Sequence, residues 1–473
     1  MSEIKKNDTV ILSVTDINNL GSGVSRLDDG RVVFVRGAVT GEKIKAKIIK
    51  INSSYAVARL EEIIETSEMR EENDNCGARE SCGGCVYRHI KYEYEKQIKK
   101  NYVKHAFIKA GLPDVKVNDV HSTEKIFGYR NKAQYPFAMT KNGVEAGFYA
   151  LKSHSVVPAS SCALQPKIFG EILNDVCGFA NKNAWSVYDE ESGQGLLRHL
   201  YLRIGERTGQ IMLCLVINAD ELPKENEFVR EITEKYPDIA SVQINKNKMN
   251  TNVVLGREYR VLFGTPYIED ILCGVRFRIT PESFYQVNHD GAELLYGLAK
   301  QKAISEEIDK ITLVDMYCGT GTIGLSMADS VRELVGVEIV EGAVECAKIN
   351  AQINGVHNAK FYAGDAKDIE SLFASVQKMH GALAPDVVIL DPPRKGCSVE
   401  VIEFLAKREI ERIVYVSCDP DTLARDCALF QKLGYAIGDV DPVDMFPRTG
   451  HVESVVCLTK TQIYKNFTIK ERN

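Results

Sequence analysis

The sequence has 473 residues, of which 44 % are hydrophobic and 26 % charged, with a formal net charge of −6. This composition is ordinary for a globular protein of about two to four domains. No apolar run is long enough to span a bilayer, and the polar start MSEIKKNDTV is unlike a signal peptide. We therefore expect a cytoplasmic protein with no membrane partner. The negative net charge excludes a protein that coats nucleic acid over its whole surface, although a local basic face is still allowed.

Residues 8–62 are predicted to form a small all-β barrel. The segments DTVILSV, GSGVSRLDDG, RVVFVRG and KIKAKIIKI alternate or run apolar, with Gly-rich and Asp-Gly turns between them. We expect about five strands of the oligonucleotide-binding type. The first 60 residues contain ten Lys or Arg and six acids, a sign opposite to that of the whole chain. This favours RNA binding over the alternative of a module for protein contacts.

An organised set of cysteines follows the acidic linker EEIIETSEMREENDN, with the pattern Cys76-x5-Cys82-Gly-Gly-Cys85 and with Cys162 far downstream in PASSCALQ. In a reducing compartment the 13 cysteines are not expected to pair, so such a set indicates metal binding or catalysis. A four-cysteine zinc site would have Cys-x2-Cys pairs at both ends. One such pair with two distant cysteines fits a structural [4Fe–4S] cluster at least as well, which would join the 76–85 loop to a strand containing Cys162. Four unrelated reduced cysteines are the alternative.

The middle of the chain mixes helices and strands. EYEKQIKKNYVKHAFIKAGL has helical periodicity, and RHLYLRIGERTGQIMLCLVIN predicts a hairpin that turns at Glu206–Gly209. In PESFYQVNHDGAELLY, Phe284 is a candidate to stack on a flipped base and Gln286 to bind a cofactor. Packing in the core is the alternative for Phe284.

From about residue 280, strands and helices alternate, which predicts a doubly wound parallel sheet. In VDMYCGTGTIGL a glycine loop joins a strand at 311–316 to a helix beginning at residue 322. An acid closes each of the next two strands: Glu338, placed to bind a ribose diol, and Asp365, placed to accept from an adenine amine. A dinucleotide is the competing ligand, but acids after successive strands followed by DPPR are more similar to S-adenosylmethionine-dependent methyltransferases. Helix capping is the alternative for both acids.

The fourth strand of this sheet ends in Asp391-Pro392-Pro393-Arg394. Enzymes that methylate exocyclic amines carry a similar acid-Pro-Pro tetrad that ends in an aromatic residue, whose ring holds the base. Arg394 stands in that place, so methylation of an exocyclic amine is disfavoured. Asp391 is predicted to fix the cofactor or the target base.

The next strand delivers Cys418, in IVYVSCDPDTLARD. A thiolate suits conjugate addition to uracil C6, which turns C5 into a nucleophile for an activated methyl group. The C5 proton must then leave before the cysteine can, and Glu453, which opens the last strand in TGHVESVVCL, is the candidate general base. Cys397 is a less favoured nucleophile, and Cys318 is expected to be structural. A buried small hydrophobe is the alternative for Cys418.

The ordered set of cysteine cluster, FYQVN, DPPR, SCDP and HVES resembles the RNA uracil-C5 methyltransferases, and within them the iron–sulfur 23S ribosomal RNA enzymes, over nearly the whole chain. The resemblance implies that Cys418 is the nucleophile, that Glu453 removes the proton and that Phe284 contacts the substrate. It implies a [4Fe–4S] cluster on Cys76, Cys82, Cys85 and Cys162. It also implies S-adenosylmethionine bound by Gln286, Tyr317, Thr322, Glu338, Asp365 and Asp391.

The resemblance further implies a multi-domain fold with three parts and a tail. These are an N-terminal TRAM-type oligonucleotide-binding barrel, a central α+β RNA-binding domain with the cluster, and a C-terminal α/β Rossmann-like methyltransferase domain that includes the helix after the cluster. The expected bounds are 1–64, then 65–92 with 125–275, then 93–124 with 276–460, and a tail at 461–473.

Having both barrel and cluster points by analogy to 23S rRNA as the RNA partner of a monomeric enzyme. Methylation of cytosine C5 or of a tRNA uridine, and a non-catalytic RNA chaperone, are the alternatives.

Overall fold

The computed structural model describes residues 4–73, 76, 82–151, 153–304, 311–368, 370, 373–374 and 385–461. The tail expected at 461–473 lies outside this set apart from Thr461. No helix in the described ranges is long and apolar enough to cross a membrane.

The N-terminal region forms one six-stranded sheet that curls around a small apolar core. Its strands are β1 (Thr9–Ser13), β2 (Asp16–Ile17), β3 (Ser22–Arg26), β4 (Val32–Arg36), β5 (Lys43–Ile51) and β6 (Tyr55–Glu65), in the order β1-β5-β6-β4-β3-β2. Alternate residues of β5, such as Ile44, Ala46 and Ile48, are buried while the lysines between them face outward. That alternation is what one buried face requires. The sequence predicted five strands, and the sixth is the two-residue β2.

The central region is built on a seven-stranded sheet of order β13-β12-β11-β10-β7-β8-β9. Its elements are β7 (Lys132–Thr140), β8 (Gly143–Tyr149), β9 (Val156–Pro158), α2 (Lys167–Lys182), β10 (Leu197–Ile204), β11 (Ile211–Ile217), α3 (Glu225–Lys235), β12 (Ile239–Lys246) and β13 (Glu258–Gly264), all after α1 (Tyr92–Lys109). β10 and β11 pair antiparallel from Ile204 opposite Ile211. The hairpin predicted at Glu206–Gly209 is therefore confirmed.

The C-terminal region is an eight-stranded sheet, mostly parallel, in the order β18-β17-β16-β19-β20-β23-β21 with β22 paired to β23. Its strands and helices, after the hairpin β14 (Ile268–Leu272) and β15 (Val275–Ile279), are α4 (His289–Ala303), β16 (Ile311–Met316), α5 (Thr322–Leu325), β17 (Val331–Glu338), α6 (Glu341–Ile353), β18 (Ala359–Ala363), β19 (Val387–Leu390), α7 (Val399–Lys407), β20 (Arg412–Ser417), α8 (Pro420–Lys432), β21 (Tyr435–Ile437), β22 (Asp441–Val443) and β23 (Glu453–Lys460). β16 and β19 are buried throughout, as strands covered on both faces must be. The doubly wound sheet is as predicted, with antiparallel strands added at one edge.

Two packing relations attach the earlier segments to this sheet. Apolar residues of α1, including Val103 and Phe107, share a core with Leu423 and Cys427 of α8. The hairpin β14–β15 shares the other core of the sheet, although the expected domain boundary at residue 275 would have cut through it. Helix α1 is also fixed by a buried ion pair, because the Lys99 amino group lies 2.7 Å from a carboxylate oxygen of Asp444.

Candidate active site and cysteine cavity

A cavity of about 830 Å³ opens where β16, β17, β19 and β20 end. The carboxyl ends of parallel strands meet at one edge of a sheet, so side chains that follow different strands converge there. Every residue that the sequence assigned to catalysis, cofactor or substrate lines this cavity, namely Phe284, Gln286, Tyr317, Thr322, Glu338, Asp365, Asp391, Cys418 and Glu453. The structure thus brings these residues together. The role of each is taken up under the proposed function.

The glycine loop after β16 is shaped by left-handed backbone and held by an acid. Tyr317, Gly319 and Gly321 have φ angles of 65°, 54° and 82°, a region that glycine adopts freely and tyrosine rarely. One carboxylate oxygen of Glu338 accepts from the backbone N–H of Gly319 at 3.1 Å, and the other accepts from that of Val340 at 2.9 Å. Glu338 therefore fixes the loop and still presents free lone pairs to the cavity.

The FYQVN segment is presented to the cavity by the central sheet. Arg203 of β10 is fully buried, and its guanidinium donates to the carbonyls of Ser283 at 2.9 Å and Tyr285 at 2.7 Å. These carbonyls flank Phe284, whose side chain is 67 % exposed. Core packing is therefore not the role of Phe284. Its ring stands free at the cavity, where a base could stack on it.

Cys418 is fixed by what precedes and follows it. β20 ends at Ser417, and the side chain of Asp419 caps α8 by accepting from the N–H of Thr422 at 3.0 Å. Pro420 occupies the first turn of that helix, where its missing N–H costs nothing. Cys418 is the single residue between the strand and the helix cap, and it lines the cavity. Burial, with the charges of Glu453 and Asp391, raises the pKa of the Cys418 thiol to about 11, and Arg394 opposes this.

Two buried carboxyl groups face that thiol. Burial first, and then the charge of Asp391, raises the pKa of Glu453 to about 8, while Arg394 lowers it. Burial also raises the pKa of Asp391 to about 7. A guanidinium nitrogen of Arg394 lies 3.5 Å from Nε2 of His451. The site thus holds one thiol and two acids, and the charge of Arg394 lowers the pKa of two of these groups, Cys418 and Glu453. Groups with such shifted pKa values are typical of functional sites.

The two other cysteines near this edge are less suited to attack. Cys397 is buried, is absent from the cavity lining and has a pKa raised to about 12 by burial. Its backbone N–H donates to Asp426 at 2.9 Å and to the Tyr415 hydroxyl at 3.2 Å. Cys318 is buried beneath the glycine loop, and burial raises its thiol pKa well above the usual value. Cys418 is the more exposed of the three thiols.

Comparison with known proteins now bears on this geometry. The sequence profile of the tRNA (Uracil-5-)-methyltransferase family matches residues 227–461, and the TRAM domain profile matches residues 5–60. An uncharacterised RNA methyltransferase of Clostridium tetani is 40 % identical over 96 % of this chain and 97 % of its own length. One of Clostridium acetobutylicum is 39 % identical over 97 % of this chain and 98 % of its own length.

The chain belongs to the RNA uracil-5-methyltransferase family. Among solved structures, the Pyrococcus abyssi tRNA (uracil-54, C5)-methyltransferase in complex with S-adenosyl-L-homocysteine matches 95 % of this chain and 100 % of its own, with 25 % identity and a TM-score of 0.75. The resemblance to the RNA uracil-C5 methyltransferases is confirmed, as is an N-terminal TRAM domain. The narrower assignment to the iron–sulfur 23S rRNA enzymes stays a prediction. Methylation of RNA uracil and S-adenosylmethionine as the methyl donor are supported by the same findings.

The methyltransferase has a second cavity, of about 1200 Å³, whose lining includes the four cysteines of the predicted cluster, Cys76, Cys82, Cys85 and Cys162. The backbone N–H of Gly84 donates to the sulfur of Cys82 at 3.4 Å. Burial, followed by the charges of Cys162 and other members of the set, raises the pKa of Cys85 to about 12. Four thiols around one cavity are a donor set that a metal group could hold as thiolates, provided that its charge outweighs the burial that raises the pKa of Cys85.

The arrangement is nevertheless looser than a closed ligand set. Within the described ranges, no three of these sulfur atoms all lie within 4.8 Å of one another. Around a zinc ion, four tetrahedral sulfurs would be only about 3.8 Å apart. Cys162 also differs from the prediction in its position. It lies in the turn between β9 and α2 rather than on a strand, because Pro158 ends the strand and Pro166 precedes the next helix.

Sequence reasoning missed three basic residues beside the active site, Arg130, Lys132 and Arg203. Arg130 and Lys132 line both cavities. Their signal in the sequence is only the spacing of two cations around Asn131, which is common on exposed strands. Arg203 stands in an otherwise apolar strand, LRHLYLRI. A buried cation in such a strand needs partners, and that was the one available indication.

Proposed function

We propose that the protein transfers a methyl group from S-adenosylmethionine to C5 of a uridine in 23S rRNA through a covalent adduct with Cys418. One observation carries the mechanism: the thiol and a buried carboxyl group reach the same cavity from adjacent strands. Ser417 of β20 pairs with Ser454 of β23, so Cys418 and Glu453 stand at neighbouring positions of one sheet edge.

The steps follow from the groups present. The Cys418 thiolate bonds to C6 of the uracil ring and pushes electrons through C5 to O4, which makes C5 nucleophilic. The donor supplies an electrophilic methyl group, which C5 captures. Glu453 then takes the C5 proton, the ring electrons expel the Cys418 sulfur from C6, and the C5–C6 double bond is restored. The thiolate that began the cycle is regenerated.

The raised pKa of Glu453 suits its role as the base, whereas burial, which raises the pKa of Cys418, opposes formation of the thiolate. A carboxylate whose protonated form is favoured up to about pH 8 is a stronger base than an exposed one, so it matches the task of removing a carbon-bound proton. The positive charge of Arg394 lowers the pKa of both Cys418 and Glu453. It therefore favours the thiolate and the carboxylate, the two forms that the cycle uses.

For the donor, we propose a site made of Gln286, Tyr317, Thr322, Glu338, Asp365 and Asp391. Glu338 suits a ribose diol, since it is an acid at the end of the second strand whose oxygens are held toward the glycine loop. Thr322 opens α5 and its hydroxyl lies 3.1 Å from that of Tyr296. Phe284 is proposed to stack on the target base or a neighbour.

For the cysteine cavity, we propose a structural [4Fe–4S] cluster on Cys76, Cys82, Cys85 and Cys162. Support comes from the four thiols around one cavity and from the hydrogen bond to the Cys82 sulfur. Hydrogen bonds to sulfur are one of the ways in which proteins tune such clusters. The proposal includes a monomeric, cytoplasmic enzyme.

A tRNA uridine is the second candidate substrate. The Pyrococcus abyssi enzyme that matches 95 % of this chain acts on tRNA, so a chain with this overall plan is compatible with that substrate. The ribosomal proposal depends on the combination of barrel and cysteine set in the sequence.

The deciding experiment offers the purified protein unmodified 23S rRNA and tRNA transcripts with methyl-labelled donor, and maps 5-methyluridine. Methylation confined to 23S rRNA supports the proposal, and methylation confined to tRNA refutes its ribosomal part. The same RNAs made with 5-fluorouridine test the mechanism, because fluorine cannot leave as a proton and the Cys418 adduct should persist through denaturing gels. Wild-type enzyme that methylates uridine yet never forms this adduct would rule out the covalent route.

A further inference from the structure

Two cations lie side by side between the active-site cavity and the cysteine cavity. In the extended segment 130–132, successive side chains point in opposite directions. Asn131 is fully buried and its amide donates to the carbonyl of Gln286 at 2.9 Å. Arg130 and Lys132 therefore share the other side, and both line both cavities. The segment is fixed to the FYQVN motif, because the N–H of Asn131 donates to the carbonyl of Val287 at 2.8 Å.

Among the described residues, no anionic partner is seen for these cations. Within the described ranges, neither side chain of this pair, Arg130 or Lys132, forms an ion pair or a hydrogen bond, although both are half-buried. Lys132 also stands directly opposite Arg203 in the β7–β10 ladder. Like charges at such positions repel each other. Burial, together with the charges of Arg203 and Arg130, lowers the pKa of Lys132 to about 8.

Arg203 cannot relieve this excess of charge. Its guanidinium is used to hold the neutral carbonyls on either side of Phe284, so it adds a full positive charge and no negative one. A fold that keeps three cations together at a cost in stability usually does so for a ligand. An anion that binds in one of the two cavities would balance this charge.

The position of Arg130 indicates which anion. Its charge acts on His451, which contacts Arg394 at the Cys418 end of the active site, and also on Cys162 in the other cavity. Arg130 therefore lies near the Cys418 end of the active site, and an anion that it binds there would be close to the proposed target base. A strand that enters this site has a phosphate at each nucleotide, and Arg with Lys is the usual pair for binding phosphate oxygens.

We propose that Arg130 and Lys132 form a subsite for a backbone phosphate of the RNA strand next to the flipped uridine. The subsite rests on the proposed function in that it requires an RNA substrate, but it does not depend on which RNA. A phosphate contact carries no sequence information, so it fixes the register of the strand while the cavity selects the base. The carboxylate of the methyl donor is the other anion that the cavity admits, and the test separates the two.

The test measures binding of the full-length protein to 23S rRNA and tRNA transcripts over a range of salt concentrations. Lys132→Met and Arg130→Met each remove one charge of the pair, and Lys132→Arg keeps the charge at its position. Lys182→Met is the control, because it removes an exposed lysine on α2 that pairs with Glu231 on α3. Each of the first two should weaken binding to both RNAs by about tenfold and reduce the slope of log K against log salt by about 0.7 to 0.9. Lys132→Arg and Lys182→Met should behave like wild type.

Two further readouts exclude a merely structural role. Burial and the neighbouring cations disfavour the charged form of Lys132 in the folded protein. Lys132→Met should therefore raise the melting temperature while it lowers RNA affinity. Calorimetry with S-adenosylhomocysteine should give wild-type affinity for Lys132→Met. Unchanged salt slopes would overturn the proposal, and so would lost S-adenosylhomocysteine affinity with intact RNA binding, which would assign the pair to the donor carboxylate. Wild-type protein that methylates tRNA alone would refute the ribosomal function, but the comparison of RNA binding between the variants and the wild type would still test the phosphate subsite.

Discussion

The two cavities of this methyltransferase are built in different ways. In the active site, Asp391, Cys418 and Glu453 each stand at the end of a strand whose position is set by backbone pairing in one sheet. In the cysteine cavity, the ligand candidates lie outside the helices and strands, and Cys162 comes from a segment far from the others in sequence. Strand ends hold their side chains whether or not a ligand is bound. The proposed cluster would hold such loops together, so we expect substitutions in the first cavity to change chemistry and those in the second to change stability.

A short segment that contains Arg448 joins the two cavities. The carbonyl of Arg448 accepts from the backbone N–H groups of Val86 and Tyr87 at 2.9 and 3.2 Å, beside Cys85. Its own N–H donates to a carboxylate oxygen of the buried Glu95 at 2.7 Å. Glu453 follows a few residues later. The cysteine loop is therefore attached to the segment that leads into the strand carrying the proposed base.

The largest effect should come from Cys418→Ala. Without the sulfur, C5 of uracil is not activated, so methylation should fall by at least about 10⁴-fold while folding is unchanged. Labelled-methyl transfer to RNA and thermal melting measure the two parts. Cys397→Ala is the matched control, since Cys397 lies at the same sheet edge but does not line the cavity, and it should retain activity within about threefold. If the two variants lost equal activity, the assignment of the nucleophile would be wrong.

Glu453→Gln should separate adduct formation from its resolution. The variant keeps the shape of the side chain but cannot take the C5 proton, so turnover should fall by about 10² to 10⁴-fold. Methylated RNA should stay bonded to Cys418 and migrate with the protein on denaturing gels. In the wild type, kcat/KM should rise with pH through about 8, the pKa of Glu453, because only the carboxylate acts as base. A variant that released free product at the normal rate would identify another base.

The contrast between strand ends and loops also explains which parts of the molecule can be predicted from the sequence. In β17, β19 and β20 an apolar run ends at a polar residue, so Glu338, Asp391 and Cys418 could be placed at one edge by counting strands. The cationic residues could not be placed. Lys132 and Arg203 become neighbours only through the β7–β10 pairing, which joins segments about seventy residues apart, and no local pattern encodes that register.

Errors at the boundaries have a similar origin. Nothing in the local sequence of the hairpin β14–β15 assigns it to the C-terminal sheet. Its place in the core of that sheet depends on the contacts of Ile268 and Phe277 with elements later in the chain. The strand expected at Cys162 is instead a connection between β9 and α2, bounded by Pro158 and Pro166.

The cysteine cavity should be tested by Cys162→Ser in protein purified without oxygen. Wild-type protein should contain about four irons with a visible absorption band, and the variant should lose both. Its melting temperature should fall by at least about 5 °C, because a bound metal group stabilises the folded state alone. Cys177→Ser is the control, since Cys177 is also half-buried, on α2, but does not line the cavity. Zinc without iron in the wild type would contradict the cluster.

The smallest expected effect is on the free energy of unfolding. It tests whether the buried carboxyl group of Glu453 destabilises the fold when it is charged. Burial raises the pKa of Glu453 from 4.5 to about 8. Below about pH 4.5 the carboxyl is protonated in both folded and unfolded chains, and it adds no penalty. As pH rises from 4.5 to 8 the unfolded chain loses its proton first, so the folded state loses stability, and the full penalty applies above pH 8.

Glutamine at this position carries no charge at any pH. Glu453→Gln should therefore be more stable than wild type by about 2 kcal/mol at pH 9, with little difference at pH 4.5. Urea unfolding at several pH values measures this, and Glu234→Gln, an exposed acid on α3, should show no such trend. If the Glu453→Gln variant gained nothing at high pH, the carboxyl group would be solvated rather than buried. A base kept at a cost in stability is what an active site selected for chemistry, and not for folding, is expected to contain.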